Sequence, residues 1–256
     1  MLFRSECLTN LVWAKIDDLE QVKCSANWMW APKLAGEGAA LRDAAEAMAE
    51  AMIAVGMAVD GGKDSLSMAA KVGDEVVKSP RQLVISAYAA MTDIRRKVAP
   101  DLKSPGSVLL FVDLAAGKNR LGGSALAQTL GQIGSEVPDM ENPALVKQAF
   151  LAVQELIDHG LILAGHDRSD GGLITAVLEM AFSGNCGLNL ALNGSATVLE
   201  TLFSEELGLV VECQWNHLAE VKKRFEQAGT PCAVLGSSTV KKAVTIQYNG
   251  ELVMDD

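Results

Sequence analysis

The stretch Ile162-Leu163-Ala164-Gly165-His166-Asp167-Arg168-Ser169-Asp170-Gly171-Gly172-Leu173 determines how the rest of the sequence is interpreted. Its apolar start predicts a strand over 162–164, its polar middle a loop, and residues 173–182 a helix. Backbone N–H groups at a helix N-terminus bind phosphate, and the two glycines let a ligand approach the backbone closely. Alternatively, Ser169 or Asp170 simply caps the helix.

The same alternation of strands and helices extends in both directions from this loop and indicates an α/β fold. Helices are predicted over residues 5–16, 39–55, 124–133, 143–158, 173–182 and 217–227. Strands are predicted over residues 82–91, 107–114, 162–164, 188–192, 209–213, 232–235, 244–248 and 251–254. Residues 57–69 suggest a short strand, a turn at Asp60-Gly61-Gly62 and a polar strand over 63–68. Asn142 is a suitable cap for the helix at 143–158, and Asn249-Gly250 predicts a two-residue hairpin turn.

Composition excludes several function classes. Lys and Arg total 22 against 32 Asp and Glu, giving a net charge of -10, and aromatic residues are only 5% of the 256 residues. Such a chain is a poor candidate for nucleic-acid binding, and its apolar runs are too short for a membrane span. The five cysteines are odd in number and lack CxxC spacing, which argues against a zinc ribbon or a disulfide framework. We therefore expect a cytoplasmic protein.

Two prolines and a glycine without periodicity indicate a linker over residues 99–106. We expect residues 1–98 to form part of an N-terminal-type subdomain and residues 107–256 a C-terminal-type α/β subdomain with a mixed sheet. The start of the chain resembles the middle of a domain, since a helical pattern begins within its first few residues.

Oxygen-bearing side chains in two places are candidate metal ligands. Glu6 and Asn10 lie four residues apart and so share one helix face, although an ordinary solvated face is the simpler interpretation. Asp167 lies in the Gly-Gly loop, where carboxylates supply the hard oxygen ligands that Mg²⁺ prefers. His166 is more consistent with a packed histidine than with a ligand, because the chain lacks His-x-x-x-His spacing. Lys63 could contact phosphate from its turn, although the spacing is not that of a Walker A motif.

Taken together and in order, the motifs resemble the phosphoribosylformylglycinamidine synthases, members of the PurM-like superfamily related to aminoimidazole ribonucleotide synthetase. The resemblance covers almost the whole chain and rests on these segments: Glu6-x-x-x-Asn10, 25–30 (SANWMW), 36–41 (GEGAAL), 61–68 (GGKDSLSM), Ser79-Pro80, 83–86 (LVIS), 121–128 (LGGSALAQ), 166–173 (HDRSDGGL) and 203–208 (FSEELG).

The resemblance implies a PurM-like fold and part of an ATP-dependent amidotransferase of purine synthesis. In that family ATP phosphorylates the amide oxygen of formylglycinamide ribonucleotide, and ammonia from glutamine then displaces phosphate. By resemblance, Glu6, Asn10 and Asp167 are Mg²⁺ ligands and Ser169 contacts the nucleotide, which is ATP or, in a structural site, ADP. A further aspartate ligand would lie upstream of Met1. No catalytic residue is assigned, and Lys63 and Asp64 lie in a family motif without an assigned step.

The family enzyme also has a first synthetase half and a glutaminase, and we expect both as partners outside this chain. None of the five cysteines is expected to be the glutaminase nucleophile. The chain alone is then expected to be inactive. Two alternatives stay open: a non-catalytic Mg-nucleotide module that braces the two halves, and another ATP-using member of the superfamily, such as a selenophosphate synthetase or thiamin-phosphate kinase.

Overall fold

A computed structural model describes residues 6–256 and divides the chain into two compact units. The smaller unit is Ile16–Thr92, and the larger unit is Asp93–Asp256 together with the segment that ends at Lys15. This grouping places the helix of Glu6 and Asn10 in the larger unit, whereas the boundaries predicted from sequence place it in the first subdomain. The predicted linker at 99–106 stays a prediction.

The smaller unit contains a three-stranded sheet, one long helix and a separate two-stranded hairpin. Its elements are β1 (Lys23–Met29), α2 (Glu37–Val55), β2 (Ala58–Ser65), β3 (Ala69–Val72), β4 (Glu75–Lys78) and β5 (Gln82–Tyr88). The sheet has the order β2-β1-β5, in which β1 pairs in parallel with β2 and antiparallel with β5. The hairpin joins β3 to β4. Strands β1, β3 and β4 were not predicted from the sequence.

The turn predicted at Asp60-Gly61-Gly62 is wrong, because these residues lie inside the continuous strand β2. Glycine is needed at position 62 because the backbones of β2 and β1 approach closely there, and not because the chain turns. A Cβ built on Gly62 would lie 2.1 Å from the carbonyl oxygen of Ala26 on β1, so no other residue fits there without moving the strands.

The larger unit is built around a seven-stranded mixed sheet. Its elements are α1 (Glu6–Leu11), β6 (Val108–Asp113), α3 (Ala125–Thr129), α4 (Pro143–Asp158), β7 (Ala164–Asp167), α5 (Gly172–Gly184), β8 (Gly187–Leu192), α6 (Val198–Phe203), β9 (Gly208–Cys213), α7 (Leu218–Gln227), β10 (Cys232–Thr239), β11 (Val244–Tyr248) and β12 (Glu251–Asp255). The strand order is β12-β11-β8-β10-β6-β9-β7. Only β11 and β8 pair in parallel among these described strands. The predicted α/β class with a mixed sheet is confirmed.

Two local predictions match the structure closely. The Asn142 side chain accepts hydrogen bonds from the N–H groups of Ala144 (3.1 Å) and Leu145 (3.2 Å), and Pro143 begins α4. Asn249 and Gly250 both have positive φ, 50° and 84°, and connect β11 to β12. Both signals succeed because they depend on a few adjacent residues.

Helix α1 is shorter than predicted, ending at Leu11 rather than residue 16, and Ser5, where the prediction began, lies outside the described residues. Helix α3 ends at Thr129 instead of Ile133, and Gly131 follows with a positive φ of 66°. The positive-φ glycine stops the helical pattern that the apolar residues suggested.

One apolar core holds α5 against the sheet of the larger unit. It contains side chains such as Val177 and Met180 of α5, Leu188 and Leu190 of β8, and Ile246 of β11, each at most 1% exposed. Burial of this kind is the main source of stability, and it holds the start of α5 in place. Between residues 6 and 256, the helices are all too short or too polar to cross a membrane.

Candidate functional site

The loop that follows β7 leads into α5, whose N-cap and first residue are both glycines. Gly171 and Gly172 both have positive φ, 84° and 77°, and a Cβ on either would lie within 2.6 Å of another atom, so both positions require glycine. Neither Ser169 nor Asp170 caps α5 with its side chain: Ser169 only accepts the Gly172 N–H through its carbonyl oxygen (2.9 Å). The simple capping interpretation of Ser169 and Asp170 is therefore wrong, and a helix N-terminus is a general binding position for an anion.

Helix α1 lies beside this loop, although more than 150 residues separate them in the chain. Thr9 donates a hydrogen bond from Oγ1 to Oδ2 of Asp167 (3.4 Å), in a buried position. The ring of Trp13 packs against Gly165, where a Cβ would lie 2.0 Å from the ring. Gln154 of α4 donates to the carbonyl oxygens of Val12 (2.7 Å) and Ala14 (3.2 Å). These contacts fix the segment that carries Glu6 and Asn10.

Negative charge accumulates where α1 meets the loop. The pKa of Glu6 is raised, first because the carboxyl is partly buried and then because Asp170 and Asp167 are close enough to repel its negative charge. Asn10 donates from Nδ2 to the carbonyl oxygen of Glu6 (2.9 Å), a bond that leaves its amide oxygen as the atom a cation would use. The structure thus brings the three predicted ligands to one region.

These oxygen donors fit Mg²⁺ in kind, since carboxylate and amide oxygens are hard ligands and the local repulsion favours a cation. They do not form a complete set: within residues 6–256 no group of three or more His, Cys, Asp or Glu side chains is arranged to hold a metal ion. Glu6, Asn10 and Asp167 would need further oxygen ligands, such as those of a bound nucleotide or water.

His166 is held by carboxyl and carbonyl oxygens. Its Nδ1 lies 2.7 Å from the carbonyl oxygen of Asp167, and its Nε2 lies 3.1 Å from Oε2 of Glu179. The pKa of His166 is raised, chiefly by a hydrogen bond with the Asp167 side chain. The imidazole orients the strand end, in keeping with a packed histidine.

Two adjacent glutamates anchor the loop, and sequence reasoning gave neither of them a role. Oε1 of Glu205 accepts the N–H of Gly171 (2.8 Å) and the N–H of Ala125 at the start of α3 (2.7 Å). Glu206 is fully buried and forms an ion pair with Arg120. The sequence signal for this role is the presence of two acidic residues inside the apolar run 202–211. Acidic side chains are almost never buried unless they are paired, so their position in such a run indicates a specific partner.

Lys63 and Asp64 lie in the smaller unit on β2, an edge strand whose residues are almost all exposed. Nζ of Lys63 donates to Oγ of Ser65 (2.9 Å), along the same strand. The function of these two residues stays unassigned.

Residues 104–249, more than half of the chain, match the family model described as AIR synthase related protein, C-terminal domain. Residues 2–90 match the model described as FGAR-AT PurM_N-like domain. The chain therefore belongs to the AIR synthase-related proteins.

Within this family, the resemblance to phosphoribosylformylglycinamidine synthases is confirmed. The chain is 52% identical to the phosphoribosylformylglycinamidine synthase of Homo sapiens, over 98% of this chain and 19% of that protein. It is also 52% identical to a probable phosphoribosylformylglycinamidine synthase, chloroplastic/mitochondrial, of Arabidopsis thaliana, over 96% of this chain and 18% of that protein. The chain thus spans about a fifth of the length of these curated relatives.

Solved structures support the fold alone, since their sequence identity is low. T. maritima PurL complexed with FGAR matches with a TM-score of 0.71 at 16% identity, over 99% of this chain and 42% of that chain. T. maritima PurL complexed with ATP matches with a TM-score of 0.66 at 16% identity, over 99% and 40%. E. coli HypE matches with a TM-score of 0.66 at 19% identity, over 98% and 78%. The predicted PurM-like fold is confirmed.

Proposed function

We propose that this chain is part of a phosphoribosylformylglycinamidine synthase of purine biosynthesis. The reaction of the complete enzyme would convert formylglycinamide ribonucleotide, glutamine, ATP and water into the amidine, glutamate, ADP and phosphate. The observation that carries the proposal is the 52% identity over 98% of this chain to the human synthase. The T. maritima neighbours that bind ATP and FGAR are consistent with it.

The larger unit would contribute a nucleotide site at the start of α5. N–H groups in the first turn of α5 and Ser169 would hold the phosphates of ATP or ADP. Glu6, Asn10 and Asp167 would hold Mg²⁺, which when bound supplies positive charge that neutralises the phosphate oxygens. Trp13 packed on Gly165 and Thr9 bonded to Asp167 keep the two parts of this site together.

Two partners follow from the proposal: the first half of the synthetase region and a glutaminase that supplies ammonia. The small-molecule partners would be formylglycinamide ribonucleotide and ATP, and neither nucleic acid nor membrane is expected. A cytoplasmic location stays a prediction, and the relative from Arabidopsis thaliana is described as chloroplastic/mitochondrial.

Thermal unfolding with Mg-ADP tests the nucleotide site. We expect the Tm of the wild-type chain to rise saturably with Mg-ADP, because a ligand that binds only the folded state stabilises it. Asp167→Ala and Ser169→Ala should reduce the rise, whereas Asp43→Ala, on the exposed surface of α2, should keep it. Absence of any Mg-ADP effect on the wild-type chain would contradict the proposal.

A structural role for the nucleotide is the second candidate, favoured by the way Glu205 already occupies the N–H of Gly171. Glu205 hydrogen-bonds both Gly171 in this loop and Ala125 at the start of α3. A loop that is held in this way suits tight, persistent nucleotide binding better than cycles of binding and release. Slow release of bound ADP without ATP hydrolysis would support the structural role. Turnover of ATP that depends on Asp167 would support the catalytic one.

A further inference from the structure

A cavity of about 290 Å³ lies in the larger unit, where strands β6 and β8 end and strand β10 begins. Its walls combine apolar side chains with one buried cation. Phe111, Leu192 and Leu235 form the apolar part, and Arg168 lines the same space. A neighbouring groove of about 630 Å³ shares residues 117–119 and 195–196 with it, so a ligand has a route from solvent.

Arg168 is unusual because it is only 4% exposed yet has no carboxylate within 4.0 Å in the part of the chain that the structure describes. Its Nε donates to the carbonyl oxygen of Glu206 (2.5 Å) and Nη2 to that of Leu207 (3.2 Å). The guanidinium carbon lies 4.7 Å from the centre of the Phe111 ring. Nη1 makes no hydrogen bond to any described residue.

The two nearest carboxylates already have other partners. Asp113 accepts the N–H groups of Ala115 (2.9 Å) and Gly117 (2.6 Å), and Glu206 pairs with Arg120. A buried charge is costly unless it is paired and hydrogen-bonded, and an arginine fork is shaped to receive an oxyanion. The chain itself therefore leaves one arm of this guanidinium unmatched.

We propose that this cavity binds a small molecule through an oxyanion group, a phosphate or a carboxylate, placed on Nη1 of Arg168. The apolar walls would contact the rest of the ligand, and the volume suits a molecule near the lower end of the usual pocket range, roughly 300 Å³. Asp113, which also lines the cavity, favours a ligand with a hydroxyl or amino donor beside its anionic group. Arg168 and Leu173 place this cavity next to the N-terminus of α5, but the proposal does not depend on the function proposed above.

Calorimetric titration of the 256-residue chain with inorganic phosphate, and separately with acetate, tests this at constant ionic strength held with NaCl. Ala233→Phe and Ser195→Trp fill the cavity from exposed positions, and Arg168→Met removes the cation. Ser169→Ala alters the loop before α5 instead, and Lys223→Ala removes a distant exposed cation. We expect saturable binding of phosphate, acetate or both by the wild type. Binding should weaken about tenfold or more in the two filling variants and in Arg168→Met.

If the chain binds only phosphate or only acetate, the result identifies the class of anion that the cavity accepts. Either result supports the proposal. Retention of binding in Ser169→Ala and Lys223→Ala supports the location. If Arg168→Met does not fold, the two filling variants decide, since neither removes a bond that Arg168 makes. Absence of saturable binding to either anion overturns the proposal. It is equally overturned if binding is unchanged by the filling variants or is lost only in Ser169→Ala.

Discussion

Single residues position the candidate site through backbone hydrogen bonds. One oxygen of Glu205 accepts N–H groups from two separate segments, at Gly171 and Ala125. Each such bond is charge-assisted, and a buried N–H left without an acceptor costs about 1–3 kcal/mol. Glu205 is therefore a positioning residue for the Gly-Gly loop.

Glu205→Ala should destabilise the chain by about 1–3 kcal/mol, because both N–H groups lose their acceptor. Amide hydrogen exchange should accelerate at Gly171 and Ala125, with little change in the distant sheet. Glu226→Ala on the exposed side of α7 is the control. Equal exchange protection in Glu205→Ala and wild type would show that the anchoring role is wrong.

Glu37 makes the smaller unit sensitive to acid. Its carboxyl is 2% exposed, accepts hydrogen bonds from Arg81 (2.9 Å and 3.1 Å), and pairs with Lys78. The hydrogen bond from Arg81, followed by that from Lys78, lowers the pKa of Glu37 from 4.5 to about 2. Since the folded pKa is depressed, ionised Glu37 stabilises the folded state above the unfolded pKa. That contribution is lost as the pH falls from about 4.5 to about 2.

Glu37→Gln should consequently lower stability at pH 6, and its difference from wild type should shrink as the pH falls through that window. Urea unfolding followed by circular dichroism at pH 6, 4, 3 and 2 measures this. Glu46→Gln, which removes an exposed pair with Arg42, should show a small difference throughout. A Glu37→Gln difference that stays constant from pH 6 to pH 2 would contradict the pKa assignment.

At the scale of elements, the pairing of β1 with β2 depends on one glycine. Gly62→Ala would place a Cβ 2.1 Å from the Ala26 carbonyl oxygen and force the strands apart, with an expected cost of about 1–3 kcal/mol. Gly61→Ala is a matched control, because a Cβ there meets nothing within 4 Å. Chemical denaturation of both variants measures the difference. Equal stability of the two would show that the close approach is not rigid.

Some elements with local signals could be predicted, although α6 was missed despite its local capping box of Thr197 and Glu200, and elements that depend on tertiary contacts could not be predicted. Helix α4 and the β11–β12 hairpin were found because a cap and a two-residue turn are encoded by neighbouring residues. Strand β1 was missed because its sequence, KCSANWM, has no clear alternation, and its partners come from β2 and β5. The strand order of the larger sheet likewise lies beyond any local pattern.

The residues of the candidate site likewise fall into those that the sequence indicates and those that only the structure shows. The sequence pattern indicated the Gly-Gly loop and the candidate ligands Glu6, Asn10 and Asp167, and the family resemblance implied the Mg²⁺ role of these three residues, which stays a prediction. Neither indicated that Glu205 fastens Gly171, or that Arg168 lacks a carboxylate among the described residues. Those roles arise only when β6, β7 and the segment before β9 come together.

At the scale of the whole molecule, we propose that residues from both chain segments of the larger unit share one Mg-nucleotide site. Burial, followed by the charges of Asp170 and Asp167, raises the pKa of Glu6. A shared ion couples the energetic effects of its ligands, so mutations at two of them should not be additive.

A double-mutant cycle on Mg-ADP binding measures this most directly, with Glu6→Gln, Asp167→Asn and the double variant titrated by calorimetry. We predict a coupling energy of about 0.5–3 kcal/mol with Mg²⁺ and none for ADP in excess EDTA. Effects that add within about 0.3–0.5 kcal/mol in the presence of Mg²⁺ would show that Glu6 and Asp167 do not share a metal ion, and would contradict the shared site.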